Sequence, residues 1–229
     1  MCIICDKLPL QGLTTLDCVD CDRLTTIPII KGLQTLICHE CPNLESIPYI
    51  DGLQTLSCTS CCNLNSIPRI SGLLTLICTD NKRLPSIPII SGLQTLDCYG
   101  CPSLKKIPHI KGLQIIDCPS CDQLESIPCI EGLQSLTCSG CDELADIPPI
   151  KSLHTLECSE CNSIEEIPFI EDLRVLDCSQ CSELTTIPDM TNLQELDCSD
   201  CDKLQSAPYV YLGVYPNHMI RQGNKMICM

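Results

Sequence analysis

Leucine, isoleucine, proline and cysteine recur at fixed places along most of this chain. From Leu13 to Pro208 the spacing is twenty residues, with no insertion or deletion. Proline marks it at Pro28, Pro48, Pro68, Pro88, Pro108, Pro128, Pro148, Pro168, Pro188 and Pro208. One cysteine column runs through Cys18, Cys38, Cys58, Cys78, Cys98, Cys118, Cys138, Cys158, Cys178 and Cys198. A second follows three residues later at Cys21, Cys41, Cys61, Cys101, Cys121, Cys141, Cys161, Cys181 and Cys201, with Asn81 in the remaining unit. Counted from Leu13 as the first position, the unit reads L-x-x-L-x-C-x-x-C-x-x-L-x-x-I-P-x-I-x-G.

A fixed period of this kind predicts a stack of units, each stabilised by its neighbours. Alternation at Leu36-Ile37-Cys38 predicts a short strand with Leu36 and Cys38 inward and Ile37 outward. Equivalent strands then pair in parallel at about 4.8 Å, so that the stack spans roughly 48 Å. A unit this short leaves no room for a full helix on the return. The Ile-Pro-x-Ile segment is expected to run extended, because proline fixes φ, lacks an N–H and biases the preceding isoleucine away from helix. Gly32, Gly52, Gly72, Gly92, Gly112 and Gly132 mark a tight corner before the next strand and favour positive φ there. Ser152, Asp172 and Asn192 replace them later in the chain, so positive φ is favoured at the corner but not obligatory.

Three regions follow: a truncated unit over 1–12, about ten full units over 13–208, and a C-terminal cap over 209–229. In the first, Cys2-x-x-Cys5-x-x-Leu8 matches Cys18-x-x-Cys21-x-x-Leu24, but four residues are missing before Gly12. That leaves an N-terminal strand edge open to self-association. The cap carries Tyr209, Tyr211 and Tyr215, three of the five tyrosines.

These residues resemble the leucine-rich repeats, whose defining segment is L-x-x-L-x-L-x-x-N/C-x-L. Leu33, Leu36, Cys38 and Cys41 take its first, fourth, sixth and ninth positions, and Leu44 follows one residue later than in the commonest form. The spelling is also similar to that of repeat proteins from giant amoebal viruses of the mimivirus type. The resemblance implies a leucine-rich repeat solenoid of the right-handed α/β-superhelix class. Its concave side would be parallel β, its convex side extended chain and turns, with little helix. A further implication is a setting in the cytoplasm of an infected host cell, with a host or viral protein as partner.

The 24 cysteines among 229 residues would suit a disulfide scaffold in a short secreted chain. This chain is long, its opening MCIICDKLPL lacks the layout of a signal peptide, and no Asn-x-Ser/Thr acceptor occurs. A reducing, cytoplasmic compartment is therefore expected. As bare spacing, Cys18-x2-Cys21-x16-Cys38-x2-Cys41 fits a four-cysteine zinc site. Both columns, however, already have structural work in the repeat. The sixth position takes a small inward filler. The ninth takes a ladder residue, normally asparagine, that bonds the backbone of the turn, and cysteine can stand in with a weaker S–H donor. Asn81 is a change that a four-thiolate site would not survive. Parallel strands hold their Cβ atoms about 4.8 Å apart, beyond the ~3.8 Å that a disulfide prefers. We therefore expect a structural ladder with no metal or cofactor, and keep metal binding or redox buffering as the alternative. Cys62, Cys129 and Cys228 lie off the columns and are expected to be exposed and oxidisable.

Charge decides what such a stack could meet. Lys+Arg 14 against Asp+Glu 29 gives a net charge of −15, which repels nucleic acid. No apolar run approaches the roughly 18 residues of a membrane helix. Outward positions are the third, fifth, seventh and eighth, and in this family they line the concave surface. They hold Asp17, Asp20, Glu40, Asp80, Asp97, Asp117, Glu157, Glu160, Asp177, Glu195, Asp197 and Asp200, and no lysine or arginine. The fifth-position column is the most concentrated, with Asp97, Asp117, Glu157, Asp177 and Asp197 interrupted only by Thr137. Like charges at strand spacing repel, which points to a basic partner. Earlier in the column stand Ile37 and Ile77, with Tyr99 beside it at the seventh position, as candidate apolar anchors. Thr15, Thr35, Thr55, Thr75, Thr95, Ser135 and Thr155 form a third-position column of good strand formers. His39, His109, His154 and His218 are scattered, and no nucleophile motif or phosphate loop occurs, so no catalytic residue is assigned. The expectation is a non-enzymatic protein-binding module; a second rival is the substrate-recognition arm of a ubiquitin ligase complex.

Overall fold

The computed structural model describes residues 4–7, 9–208, 219–221 and 226–228. Ten short strands form one parallel sheet in chain order: β1 (Thr15–Val19), β2 (Thr35–His39), β3 (Thr55–Ser57), β4 (Thr75–Ile77), β5 (Thr95–Asp97), β6 (Ile115–Asp117), β7 (Ser135–Thr137), β8 (Thr155–Glu157), β9 (Val175–Asp177) and β10 (Glu195–Asp197). Equivalent positions lie side by side, as in Thr15 beside Thr35, Leu36 beside Leu56 and Asp97 beside Asp117. The chain is thus a parallel β-solenoid with a twenty-residue rung and cysteines at regular positions. No helix occurs among the described residues, so the return carries even less regular structure than the small helical content expected.

Each rung turns back on itself twice. The first turn is closed by the twelfth-position N–H donating to the ninth-position carbonyl, as from Leu44 to Cys41 at 3.0 Å and Leu124 to Cys121 at 2.8 Å. The second is closed by Leu33 N–H to Ile30 O at 3.4 Å and its equivalents. Between them runs the extended Ile-Pro-x-Ile segment, with isolated parallel bridges Thr26–Ser46, Lys106–Ser126 and Glu166–Thr186. Consecutive rungs satisfy one another's backbone: Gln54 and Thr55 N–H both donate to Gln34 O, at 2.8 and 3.0 Å.

The interior is a set of aliphatic and thiol columns. In the rung that starts at Leu53, Leu53, Leu56, Cys58, Cys61, Leu64 and Ile70 are fully buried and Ile67 is nearly so. Burying one such aliphatic side chain is worth about 1.5–3 kcal/mol. Much of that burial is against the rungs above and below, so a rung alone would lose it.

Two features of the corners refine the sequence reading. Gly32, Gly92 and Gly112 take φ of 84°, 90° and 91°, as the third residue of a type II turn requires. Ser152, Asp172 and Asn192 keep negative φ, yet Leu153, Leu173 and Leu193 N–H still close the turn at 3.1–3.4 Å. A type I turn permits this without glycine. The second feature was not anticipated. The residue before the ladder position has positive φ in all ten rungs: Asp20, Glu40, Ser60, Asp80, Gly100, Ser120, Gly140, Glu160, Gln180 and Asp200. At Gly100 a Cβ would displace the exposed Asp80 carboxylate, the far end of a flexible side chain, so the positive φ is the stronger reason for glycine there.

At the N-terminal end, residues 4–7 form a turn, with Lys7 N–H donating to Ile4 O at 3.1 Å. An Arg23–Asp6 ion pair at 2.6 Å ties this turn to the next rung. The cap expected over 209–229 lies outside the described residues, apart from the antiparallel pair β11 (Met219–Arg221) and β12 (Met226–Cys228). Among the described residues no helix is long and apolar enough to cross a membrane.

Candidate functional site

The outward face of the sheet gathers the candidate binding residues. Asp97 lies directly beside Asp117, and Glu157, Asp177 and Asp197 stand in a row on β8, β9 and β10. Thr137 on β7 separates the two groups. Asp97, Asp117, Glu157 and Asp177 are half-buried, whereas Asp197 is exposed. Ile37 and Ile77 are also half-buried, on β2 and β4, with the buried Ser57 between them. His39 Nε2 and Ser57 Oγ hydrogen-bond at 2.7 Å across that gap. Tyr99, beyond the end of β5, is 45% exposed, and Ile115 on β6 adds a further exposed apolar side chain.

Several of the aspartates have local structural partners that the column pattern did not reveal. The Asp177 carboxylate accepts from Ser179 N–H at 3.0 Å and from the Ser179 hydroxyl at 2.7 Å. Asp197 accepts in the same way from Ser199, at 2.9 and 2.7 Å. Asp97 accepts from Tyr99 N–H at 3.2 Å. These are Asx-type turns that aim the carboxylate at the backbone two residues ahead. The signal was legible as Asp-Cys-Ser at 177–179 and 197–199. At Asp117 the corresponding residue is Pro119, which has no N–H to give.

Electrostatics follow that difference. Burial pushes the Asp117 carboxyl up to about 6, with repulsion from Asp97 and Glu157 adding to it. Asp97 is also raised, first by burial and then by Asp80, while its bond from Tyr99 N–H pulls the other way. Farther along the face, the Glu40 carboxyl is raised, chiefly through a hydrogen bond with Asp20 and then by its charge. Asp20, Asp22, Glu40, Pro42 and Ser60 line an open pocket of about 310 Å³. Among the described residues the ion pairs are Arg23–Asp6, Lys105–Glu125, Lys106–Glu125 and Lys203–Glu183, and none draws on the twelve face acids.

The two cysteine columns lie behind this face. Sixth-position cysteines are buried and inward: Cys18 and Cys38 lie within β1 and β2, and the others immediately follow their strands. Ninth-position thiols point at the sixth-position carbonyl of the preceding rung: Cys41 to Cys18 O at 3.2 Å, Cys61 to Cys38 O at 3.1 Å, Cys141 to Cys118 O at 3.2 Å and Cys201 to Cys178 O at 3.0 Å. Asn81 makes the same contact through Nδ2, to Cys58 O at 2.6 Å, and adds Cys78 O at 2.9 Å. Its Oδ1 also accepts from Cys61 N–H at 3.1 Å, a bond available to an amide oxygen. Burial pushes the Cys61 thiol up to about 11 and raises Cys38 and Cys58 as well, so all three are neutral thiols at pH 7. Among the described residues no group of three or more His, Cys, Asp or Glu is arranged to hold a metal ion. Cys62 and Cys129 are exposed; the side chain of Cys228 lies outside the described residues.

Set against known proteins, the chain matches no protein-family model and no curated protein.

Proposed function

We propose that the chain is a leucine-rich repeat protein, without catalytic activity, that binds a basic segment of another protein through the outward face of its sheet. The family assignment rests on the L-x-x-L-x-C-x-x-C unit and on its similarity to giant amoebal virus repeats, which implies a host-cell cytoplasmic setting. The observation that carries the binding reading is the one-sided charge. Twelve acids and no lysine or arginine occupy the outward positions, and the ion pairs among the described residues draw on acids elsewhere.

The half-buried Asp97–Asp117 pair gives that strip a reason to bind cations. A lysine or arginine set between the two carboxylates would relieve their repulsion, and partial burial would strengthen the attraction relative to a fully solvated pair. Ile37, Ile77 and Tyr99 offer apolar contact on the earlier strands. A fitting partner therefore carries basic residues toward β10 and an apolar residue toward β2.

Binding of a lysine-rich peptide, read by calorimetry at low and high salt, tests this. The parent chain should bind at low salt and weaken as salt screens the charges. The triple variant Asp117→Lys, Asp177→Lys, Asp197→Lys should lose the interaction, with about a tenfold or greater drop in affinity. Equal binding by parent and variant, or none by either, would sink the reading. The runner-up is a metal-binding or redox-buffering thiol protein, against which burial of the column thiols weighs. Elemental analysis with thiol counting separates the two, because near-stoichiometric zinc per pair of rungs belongs only to the runner-up.

A further inference from the structure

Cys5 and Cys21 meet in a way that the sequence columns did not suggest. Their sulfur atoms lie 3.5 Å apart, in direct thiol–thiol contact. Both take the ninth position of their units, but the truncation of the first unit sets them sixteen residues apart instead of twenty. Neither belongs to a strand, which holds for the other ninth-position cysteines too, so what sets this pair apart is access. Cys5 is only half-buried, while Cys21 beneath it is buried.

Two neighbours reinforce the contact. The Arg23–Asp6 ion pair holds the 4–7 turn against the rung that carries Cys21. Elsewhere the ladder thiols are directed at carbonyls and also interact with sixth-position thiols, as Cys101 with Cys78 and Cys141 with Cys118, but those sulfurs are fully buried; the exposed Cys62 and Cys129 each point at a backbone carbonyl, at 3.9 and 4.0 Å.

We propose that Cys5 and Cys21 are a modification site, closing to a reversible disulfide that clasps the first unit onto the solenoid when a small-molecule disulfide such as oxidised glutathione is present. The Cys5 thiolate attacks one glutathione sulfur and expels the other glutathione as thiolate, leaving a mixed disulfide. Cys21 then attacks the Cys5 sulfur and releases the second glutathione. The two protein thiols lose two electrons and two protons, and one oxidised glutathione becomes two reduced molecules. Closing the pair needs the sulfurs to approach from contact distance to about 2.05 Å.

The test uses the full reduced chain, exposed to stoichiometric oxidised glutathione, alkylated, and digested without reduction. The expected first product is an intramolecular Cys5–Cys21 crosslink, reversed by excess reduced glutathione, with the other ladder thiols recovered unmodified after unfolding. Cys5→Ser should abolish that product. Parent and Cys62→Ser/Cys129→Ser chains should form it equally. A first disulfide at any other pair, or a Cys5–glutathione adduct that never resolves, would overturn the proposal.

Discussion

The same ten strands present two faces that obey different rules. Inward, the fourth position is leucine in every rung except for Ile116, and the sixth is always cysteine. Outward, the fifth position runs Asp17, Ile37, Ser57, Ile77, Asp97, Asp117, Thr137, Glu157, Asp177, Asp197. Parallel, in-register stacking sets each residue beside its own equivalent, and repetition then has opposite consequences on the two sides. Identical aliphatic or thiol side chains pack into a continuous column, which stabilises. Identical acids repel, which destabilises. The inner face therefore repeats because the fold rewards it. The outer acids repeat against that pressure, and only some of them have a local turn to explain them.

The contrast is sharpest between adjacent residues of one strand. Leu136 is fully buried and Thr137 is half-buried on the opposite side. Leu136→Ala should cost about 2–5 kcal/mol, because a cavity opens inside closely stacked rungs. Thr137→Ala should stay within about 0.5 kcal/mol. Denaturant midpoints for the two variants would break the comparison if the costs were alike.

Asn81 tests whether the ladder behind the face is held by geometry or by sulfur chemistry. Asn81→Ala strands the Cys58 carbonyl and the Cys61 N–H inside the stack and should cost about 1–3 kcal/mol. Asn81→Cys should recover part of that loss. It restores the bond to Cys58 O that eight of its counterparts make in kind, but not the acceptor for Cys61 N–H. If Asn81→Cys proved as unstable as Asn81→Ala, the thiol contacts would carry no weight in the ladder.

Much of this was readable in advance, because the period is a direct record of stacking. Pro28 to Pro208 placed every rung, and the Leu-x-Cys alternation placed the inward side of every strand. The turn before the ladder was not read, although Gly100 and Gly140 stand in its column. A positive φ accepts aspartate, serine or glycine, so the residues there look like a surface drifting at random. Five of the twelve face acids, namely Asp20, Glu40, Asp80, Glu160 and Asp200, sit at that turn. For the three aspartates among them the backbone supplies a reason independent of any partner, since aspartate is one of the few side chains that tolerates this φ. The Asx turns at Asp177 and Asp197 were missed because a column view compares rungs, whereas these bonds run two residues along the chain. The Cys5–Cys21 contact was hidden for a related reason: it arises where the period is broken.

The smallest effects divide the acidic column itself. Asp197→Ala removes the acceptor for Ser199 N–H on an exposed strand, and should cost about 0.5–1.5 kcal/mol. Asp117→Asn should act in the opposite direction. The ordinary Asp value is 3.8, and in the folded chain Asp117 stands near 6, so the folded state holds this proton more tightly than the unfolded state does. Stability from this group therefore falls as pH rises from about 4 to about 6, and the full penalty is present at pH 7. Removing the charge should raise stability at pH 7 by up to about 1 kcal/mol, since solvent screens a carboxylate that is only half-buried. The gain should shrink as pH falls through 6 and vanish near 4, where both chains carry a neutral side chain at this position. A gain that persists unchanged at pH 4 would mean that packing, and not charge, sets Asp117 apart from Asp177 and Asp197.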